Sequence, residues 1–321
     1  MREIRPKVLV TRQLPEAVEA RLSSTYDVTL NADNKTLSKK QLSAAMAEYD
    51  ALVPTVSDQI DAHILQTPGR QVRIIANVGV GYSNIDTDTA RVEGIAVSNT
   101  PDVLTDATAD IALLLILAAT RHTYAAEKKL RENRWSDFSL VDGLGSSVQG
   151  KVLGIIGMGR IGQATARRAR LGLGMNVIFY NRSTITGLDF EATQVGAIDE
   201  VMTSADVISI HAPGGGSSPL VNAGHIAKLK PTAYLINTAR GDCIDQTALI
   251  EALSSNRIAG AGLDVFTEEP HIPDVLRKLD NVTLLPHIGS ATLEVRTAMG
   301  MLAVDNLDAF FSAETMPCRI V

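Results

Sequence analysis

Lys151-Val-Leu-Gly-Ile-Ile-Gly-Met-Gly-Arg-Ile-Gly162 is the stretch on which the fold turns. An apolar, β-branched run, Val152–Ile156, ends at a glycine, and helical spacing starts inside the glycine cluster and continues over 161–170. Gly157-Met-Gly159-Arg160-Ile161-Gly162 fits G-x-G-x-x-G. The pattern alone is weak, because glycine is common; the strand before it and the helix after it give it meaning. Gly157 permits a tight turn, Gly159 lets the backbone approach a pyrophosphate, and Gly162 lets the helix pack closely on the strand. The helix N-terminus then offers N–H groups and a partial positive charge to phosphates. The expectation is a dinucleotide site in a doubly wound parallel sheet, with Gly157, Gly159, Arg160, Ile161 and Gly162 against the cofactor.

About 20 residues past such a cluster, an acidic side chain commonly binds the ribose 2′-OH of NAD. Here the next strand, Asn176–Tyr180, runs into Asn181-Arg182-Ser183. A carboxylate would repel a 2′-phosphate, whereas a guanidinium fork and a hydroxyl would hold one. Asn181, Arg182 and Ser183 therefore point to NADPH, with NADH less favoured. The alternative is that Arg182 is a solvated loop residue and the site accepts NAD.

Outward from this centre, short β-branched runs alternate with helical stretches. Residues 7–11, 26–30, 51–53, 72–76 and 95–97 read as a first set of strands, with a capping box at Ser38 and Gln41 opening a helix toward Tyr49. A long helix over 103–130, apolar on all sides in its first half, reads as buried between two domains. Residues 133–150 read as an ordered loop. Further strands are expected at 206–210, 233–237, 260–263 and 282–285, and a last amphipathic helix over 292–310. Alternation of this kind implies parallel sheets covered by helices.

Composition agrees. The 321 residues suit about two domains, and 45% apolar with 21% charged residues is ordinary for a globular protein. With 30 Lys and Arg against 36 Asp and Glu, the net charge of −6 argues against nucleic acid or an anionic membrane as partner. The longest apolar run, 111–119, is nine residues, and a membrane span needs about 20. With no secretory signal at the start, the expected location is the cytoplasm. Cys243 and Cys318 form no disulfide framework, and no H-E-x-x-H, C-x-x-C or G-x-S-x-G spacing suggests a metal or a serine nucleophile.

Four polar segments fall at expected strand ends: His211-Ala-Pro213, Asn237-Thr-Ala-Arg-Gly241, Leu263-Asp-Val-Phe-Thr-Glu-Glu-Pro270 and Leu285-Pro-His-Ile-Gly-Ser-Ala-Thr292. Ligands of doubly wound sheets bind at the carboxyl ends of strands. Together with Asn77-Val-Gly-Val-Gly-Tyr82 and the glycine cluster, these runs occur in the order and spacing of the D-isomer-specific 2-hydroxyacid dehydrogenases, which the chain resembles over nearly its whole length.

The resemblance implies a flavodoxin-like substrate domain, 1–99 and 289–321, holding an inserted Rossmann nucleotide domain, 100–288. It implies that Arg240 binds the substrate carboxylate and polarises the 2-keto oxygen, a task suited to an always-charged fork. His287 exchanges the proton, Glu269 orients His287 and favours its charged form, and Val78 and Gly79 present N–H groups to the carboxylate. His211, Pro213, Thr238, Ala239, Asp264 and Gly289 join the cofactor surface, Asp264 near the nicotinamide carboxamide. His63, His122, His225 and His271 lack such company and read as structural. The resemblance further implies a homodimer formed through the helix and loop before the glycine cluster.

Three places depart from the family pattern: Ser83, the run Gly214-Gly-Gly-Ser-Ser218, and the loop from Trp135 to Asp142. The absence of a regulatory extension favours a compact reductase of a small 2-keto acid such as glyoxylate or hydroxypyruvate. Two alternatives stand beside it. One is a reductase of a larger acid, such as phenylpyruvate or a branched or sugar-derived keto acid. The other is a nucleotide-sensing, corepressor-like interaction protein on the same fold.

Overall fold

The computed structural model describes residues 5–321 as two compact units. One holds the chain up to Leu104 together with Ala291–Val321; the other is Thr105–Ser290.

The first unit contains β1 (Lys7–Val10), α1 (Glu16–Thr25), β2 (Asp27–Leu30), α2 (Lys39–Glu48) and β3 (Ala51–Val53). It continues with α3 (Ala62–Leu65), β4 (Ile74–Ala76), α4 (Thr87–Val92) and β5 (Ala96–Ser98). Its five strands pair in the order β2-β1-β3-β4-β5, all parallel, with Val8 opposite Ala51 and Ile74 opposite Ala96. That is the flavodoxin-like order. Parallel sheets are covered on both faces, so the strands are continuously apolar; β3 and β4 are buried throughout. The core joins Leu9, Leu42, Met46, Leu52, Ile64, Ile75 and Val97. Ser38 and Gln41 form the expected capping box, each bonding the other's backbone N–H at 3.3 and 2.9 Å.

The second unit runs α5 (Thr105–Thr120), α6 (Thr123–Arg131), β6 (Val152–Ile156), α7 (Arg160–Leu173), β7 (Asn176–Tyr180) and β8 (Thr193–Gln194). Then come α8 (Ile198–Ser204), β9 (Val207–Ile210), α9 (Ala223–Ile226), β10 (Tyr234–Asn237), α10 (Gln246–Ser254), β11 (Gly260–Leu263), α11 (Asp274–Lys278) and β12 (Val282–Leu284). The chain then returns to the first unit in α12 (Leu293–Phe311). The seven strands are ordered β12-β11-β10-β9-β6-β7-β8, again all parallel. Alternate residues of a strand face opposite ways. Ile155 thus joins a core with Leu153, Phe179 and Ile236, and Ile156 joins another with Ile208, Leu235 and Leu263. Strand order reverses between β6 and β9, and ligands of such sheets bind at the carboxyl ends flanking that reversal.

The helix expected over 103–130 is two helices. The Thr120 carbonyl accepts from the Ser146 N–H at 2.7 Å instead of continuing the helical ladder, and His122 turns left-handed at φ 49°. Buried residues of α5 include Ala112, Leu115 and Ile116, whereas α6 buries none. The breaks between units also differ from residues 99 and 289. Thr100 donates to the Gly79 carbonyl, which keeps 100–104 with the first unit; the Gly289 carbonyl accepts from Thr108 Oγ1, which keeps it in the second. β8, only two residues long, carries no pattern that sequence could show.

Candidate active site

β6 and β9 deliver the glycine cluster and His211 to the reversal point side by side. Gly157 has φ 95°, a region that favours glycine, and a Cβ there would sit 2.8 Å from the Ala212 nitrogen. A Cβ at Gly162 would overlap the Gly157 carbonyl oxygen, so α7 can seat against the turn only without one. At Gly159, which precedes α7, a Cβ would meet no atom within 4 Å; the backbone there faces open space. The cleft beside it, about 300 Å³, is lined by Gly157, Gly159, Asn181, Arg182, His211, Pro213, Gly216, Asp242 and Cys243 among others.

Burial pushes the His211 imidazole down to about 3, so it is neutral near pH 7. Its Nε2 lies 2.9 Å from Ser209 Oγ, and its buried Nδ1 has no hydrogen-bond partner; Thr238 Oγ1 is likewise orphaned. Buried polar atoms are ordinarily bonded, so the orphaned Nδ1 of His211, a residue that lines the cleft, fits a site that a polar ligand would complete. Burial also raises the Cys243 thiol to about 11, which keeps it protonated and unreactive. The glycine turn fits a dinucleotide, whose phosphates it would hold.

Asn181 accepts from the Met158 N–H at 3.1 Å and donates to the Ser183 carbonyl and hydroxyl at 3.1 and 3.0 Å, which ties the loop after β7 to the glycine cluster. Among the described residues nothing bonds to the Arg182 guanidinium. The run 214–218 is fixed at one end: Gly215 N–H donates to Asp242 at 2.6 Å, and a Cβ at Gly214 would lie 2.7 Å from the Arg240 Cβ.

Arg240, Glu269 and His287 come together from three strand ends. Asn237, at the end of β10, bridges its own turn: Ala239 N–H donates to its oxygen at 3.0 Å, and its amide donates to the Arg240 carbonyl at 2.8 Å. Arg240 donates to the Ala239 carbonyl at 2.7 Å. Burial draws its guanidinium below the ordinary value, and the Glu269 charge works against that; an arginine so placed stays charged. Glu269 accepts from the Phe266 N–H at 2.9 Å through Oε1, and its Oε2 lies 2.6 Å from His287 Nδ1. Burial alone would raise its carboxyl, but the His287 hydrogen bond and charge, with the Phe266 N–H and Arg240, hold it below the usual range. No described residue bonds to His287 Nε2. His287 is left-handed at φ 53°, held by its N–H to the Asp264 carbonyl at 2.8 Å.

Asp264, expected near the nicotinamide carboxamide, is buried at the end of β11. It is 1% exposed, and its two oxygens accept from Ile288 N–H at 2.7 Å and Gly289 N–H at 2.8 Å. Burial raises its carboxyl and those two bonds oppose the rise. Its observed work is to shape the turn that carries His287. Val78 and Gly79 lie after β4 in the first unit, and their N–H groups are engaged, by Pro54 O at 2.8 Å and Asn77 O at 3.1 Å. Sequence reasoning passed over Asn237 and Asp242, although both lie in or beside the N-T-A-R-G run. Among the described residues no group of His, Cys, Asp or Glu could hold a metal, and no helix is long and apolar enough to cross a membrane.

Comparison with known proteins defines the class. The model of the D-isomer specific 2-hydroxyacid dehydrogenase NAD binding domain matches residues 113–289. A glyoxylate reductase of Pyrococcus furiosus is 41% identical over 323 aligned positions, covering 99% of this chain and 96% of the relative. A Polaromonas structure assigned to the same dehydrogenases has a TM-score of 0.91 at 37% identity, covering 99% of this chain and 100% of that one. The NADPH-dependent glyoxylate/hydroxypyruvate reductase of Sinorhizobium meliloti, solved with NADP and malonate, has a TM-score of 0.86 at 34% identity, covering 99% and 97%. The chain belongs to the D-isomer specific 2-hydroxyacid dehydrogenases: it is an enzyme that uses a nicotinamide cofactor to interconvert a 2-keto acid and a 2-hydroxy acid.

Proposed function

We propose that this enzyme reduces a small 2-keto acid of the glyoxylate and hydroxypyruvate type with NADPH, giving the D-2-hydroxy acid. The observation that carries this is the Glu269–His287 pair, with Arg240 within reach of its charge. His287 is tethered through Nδ1, which leaves Nε2 to give a proton to the keto oxygen in reduction and take it back in oxidation. Arg240 binds the substrate carboxylate with its fork and draws electron density toward the keto oxygen. Glu269 keeps the ring oriented and offsets the charge on protonated His287. When bound, the reduced nicotinamide supplies the hydride that the keto carbon takes up.

The choice of NADPH is supported by the Arg182 guanidinium beside the cleft, to which no described residue bonds, by the lack of a carboxylate at 181–183, and by the Sinorhizobium relative, solved with NADP. The small substrate is supported by the names of the relatives, glyoxylate reductases at about 40% identity. Gly157, Gly159, Arg160, Ile161 and Gly162 would hold the pyrophosphate. His211, Pro213 and Thr238 would line the rest of the cofactor surface. The test is loss of absorbance at 340 nm with NADPH or NADH against glyoxylate, hydroxypyruvate, phenylpyruvate and a branched keto acid, ranked by kcat/KM. A larger acid at the top of the ranking overturns the substrate, and a tenfold or greater preference for NADH overturns the cofactor.

We also propose a homodimer through α6 and the loop that follows. Trp135, Phe138, Leu140 and Val141 are exposed there, Leu140 by 81%, and apolar patches of that kind usually meet a partner. A monomer by light scattering at micromolar concentration would overturn it.

A further inference from the structure

The loop 181–185 carries the three residues proposed to choose the cofactor, yet none of them fixes its own backbone to the sheet. That is done by Gln194, the last residue of the edge strand β8. Its side-chain NH₂ donates to the Asn181 carbonyl at 3.3 Å and to the Ser183 carbonyl at 3.0 Å. Its side-chain oxygen accepts from the Ile185 N–H at 3.0 Å. One amide thus pins the loop on both sides of Arg182. Asn181 adds the tie to Met158 N–H and the bonds to Ser183, so the loop is braced from the glycine cluster and from β8.

This brace matters because no described residue bonds to the Arg182 guanidinium. A guanidinium binds a phosphate well when its fork is presented at a fixed angle, and less well when the backbone beneath it samples many positions. The remainder of the cofactor would be held elsewhere, by the glycine turn and α7, to which the Gln194 side chain makes no hydrogen bond among the described residues.

We infer that Gln194 is a positioning residue that sets the preference for the 2′-phosphorylated dinucleotide by holding the backbone beneath Arg182. This rests on the NADPH assignment above. Gln194→Met keeps length and removes all three hydrogen bonds. Gln194→Glu keeps the acceptor for Ile185 but turns a carboxylate toward two carbonyls, and it serves if the methionine variant does not fold.

The experiment is titration of NADPH and of NADH into wild type, Gln194→Met, Gln194→Glu, Arg182→Ala and the Arg182→Ala/Gln194→Met double variant, following cofactor fluorescence. Wild type is expected to bind NADPH at least tenfold more tightly than NADH. Gln194→Met, and likewise Gln194→Glu, should lose about tenfold in NADPH affinity while NADH affinity stays within about twofold. Because Gln194 acts through Arg182, the double variant should be little weaker for NADPH than Arg182→Ala alone. A merely structural role would weaken both cofactors alike. Equal weakening, an unchanged NADPH to NADH ratio, or additive losses in the double variant would overturn the inference and leave the cofactor assignment standing. A wild type with no NADPH preference would overturn both.

Discussion

Gly241 and Phe266 lie back to back: a Cβ on Gly241 would overlap the Phe266 carbonyl carbon. The turn carrying Arg240 and the turn carrying Glu269 therefore approach at backbone distance, and the glycine makes that approach possible. Gly241→Ala should push the two turns apart. Overpacking of this kind costs about 1–3 kcal/mol, read as a lowered urea midpoint. kcat should fall further than the midpoint implies, because both displaced turns carry active-site groups. Unchanged stability and kcat would show that the turns can part without harm.

Arg240→Lys keeps the charge and loses the paired donors. A fall in kcat/KM of about 10²-fold or more is expected, most of it from transition-state binding. Steady-state kinetics on a variant of unchanged circular dichroism check this. Wild-type kinetics would remove Arg240 from the substrate site.

How much of this was legible without coordinates depends on how local each constraint is. The glycine cluster and the N-T-A-R-G run were readable because backbone clashes at Gly157, Gly162 and Gly241 dictate residue type directly. The break at His122 was not, since it depends on an amide from Ser146 capturing the Thr120 carbonyl. The same holds for Val78, whose N–H is taken by Pro54, and for Asp264, whose buried oxygens brace the turn that carries His287. Gln194 was invisible for another reason: a two-residue strand has no period, and an amide crossing to a loop leaves no motif.

His211 gives a prediction about stability. Its folded imidazole titrates at about 3, against 6.5 unperturbed. Between those values the unfolded chain binds a proton that the folded one refuses, so stability rises with pH across that window. The loss on acidification begins near pH 6.5 and grows as pH falls toward 3. His211→Asn removes this proton difference. Urea midpoints of the cofactor-free protein from pH 4 to 8 should fall more steeply for wild type than for the variant, and parallel slopes would mean that the ring is protonated in the folded state.

Glu269 and His287 give the last prediction. The Glu269 carboxyl is held below its ordinary range by the His287 bond, the Phe266 amide and Arg240, despite burial. Near neutral pH it is therefore a fixed negative charge beside His287, and the proton exchanged with the substrate is the one on the ring. Reduction needs the imidazolium, so kcat/KM for the keto acid should be high at low pH and fall as pH rises. Oxidation needs the neutral ring and should rise over the same interval. Glu269→Gln keeps the shape and removes the charge that favours the imidazolium. The falling limb for reduction and the rising limb for oxidation should therefore both move to lower pH, and by the same amount. His287→Ala should abolish most turnover in both directions while NADPH still binds. The measurement is kcat/KM against pH in both directions for wild type and Glu269→Gln. A limb that stays in place, or moves to higher pH, would show that the 2.6 Å contact orients the ring without tuning its proton.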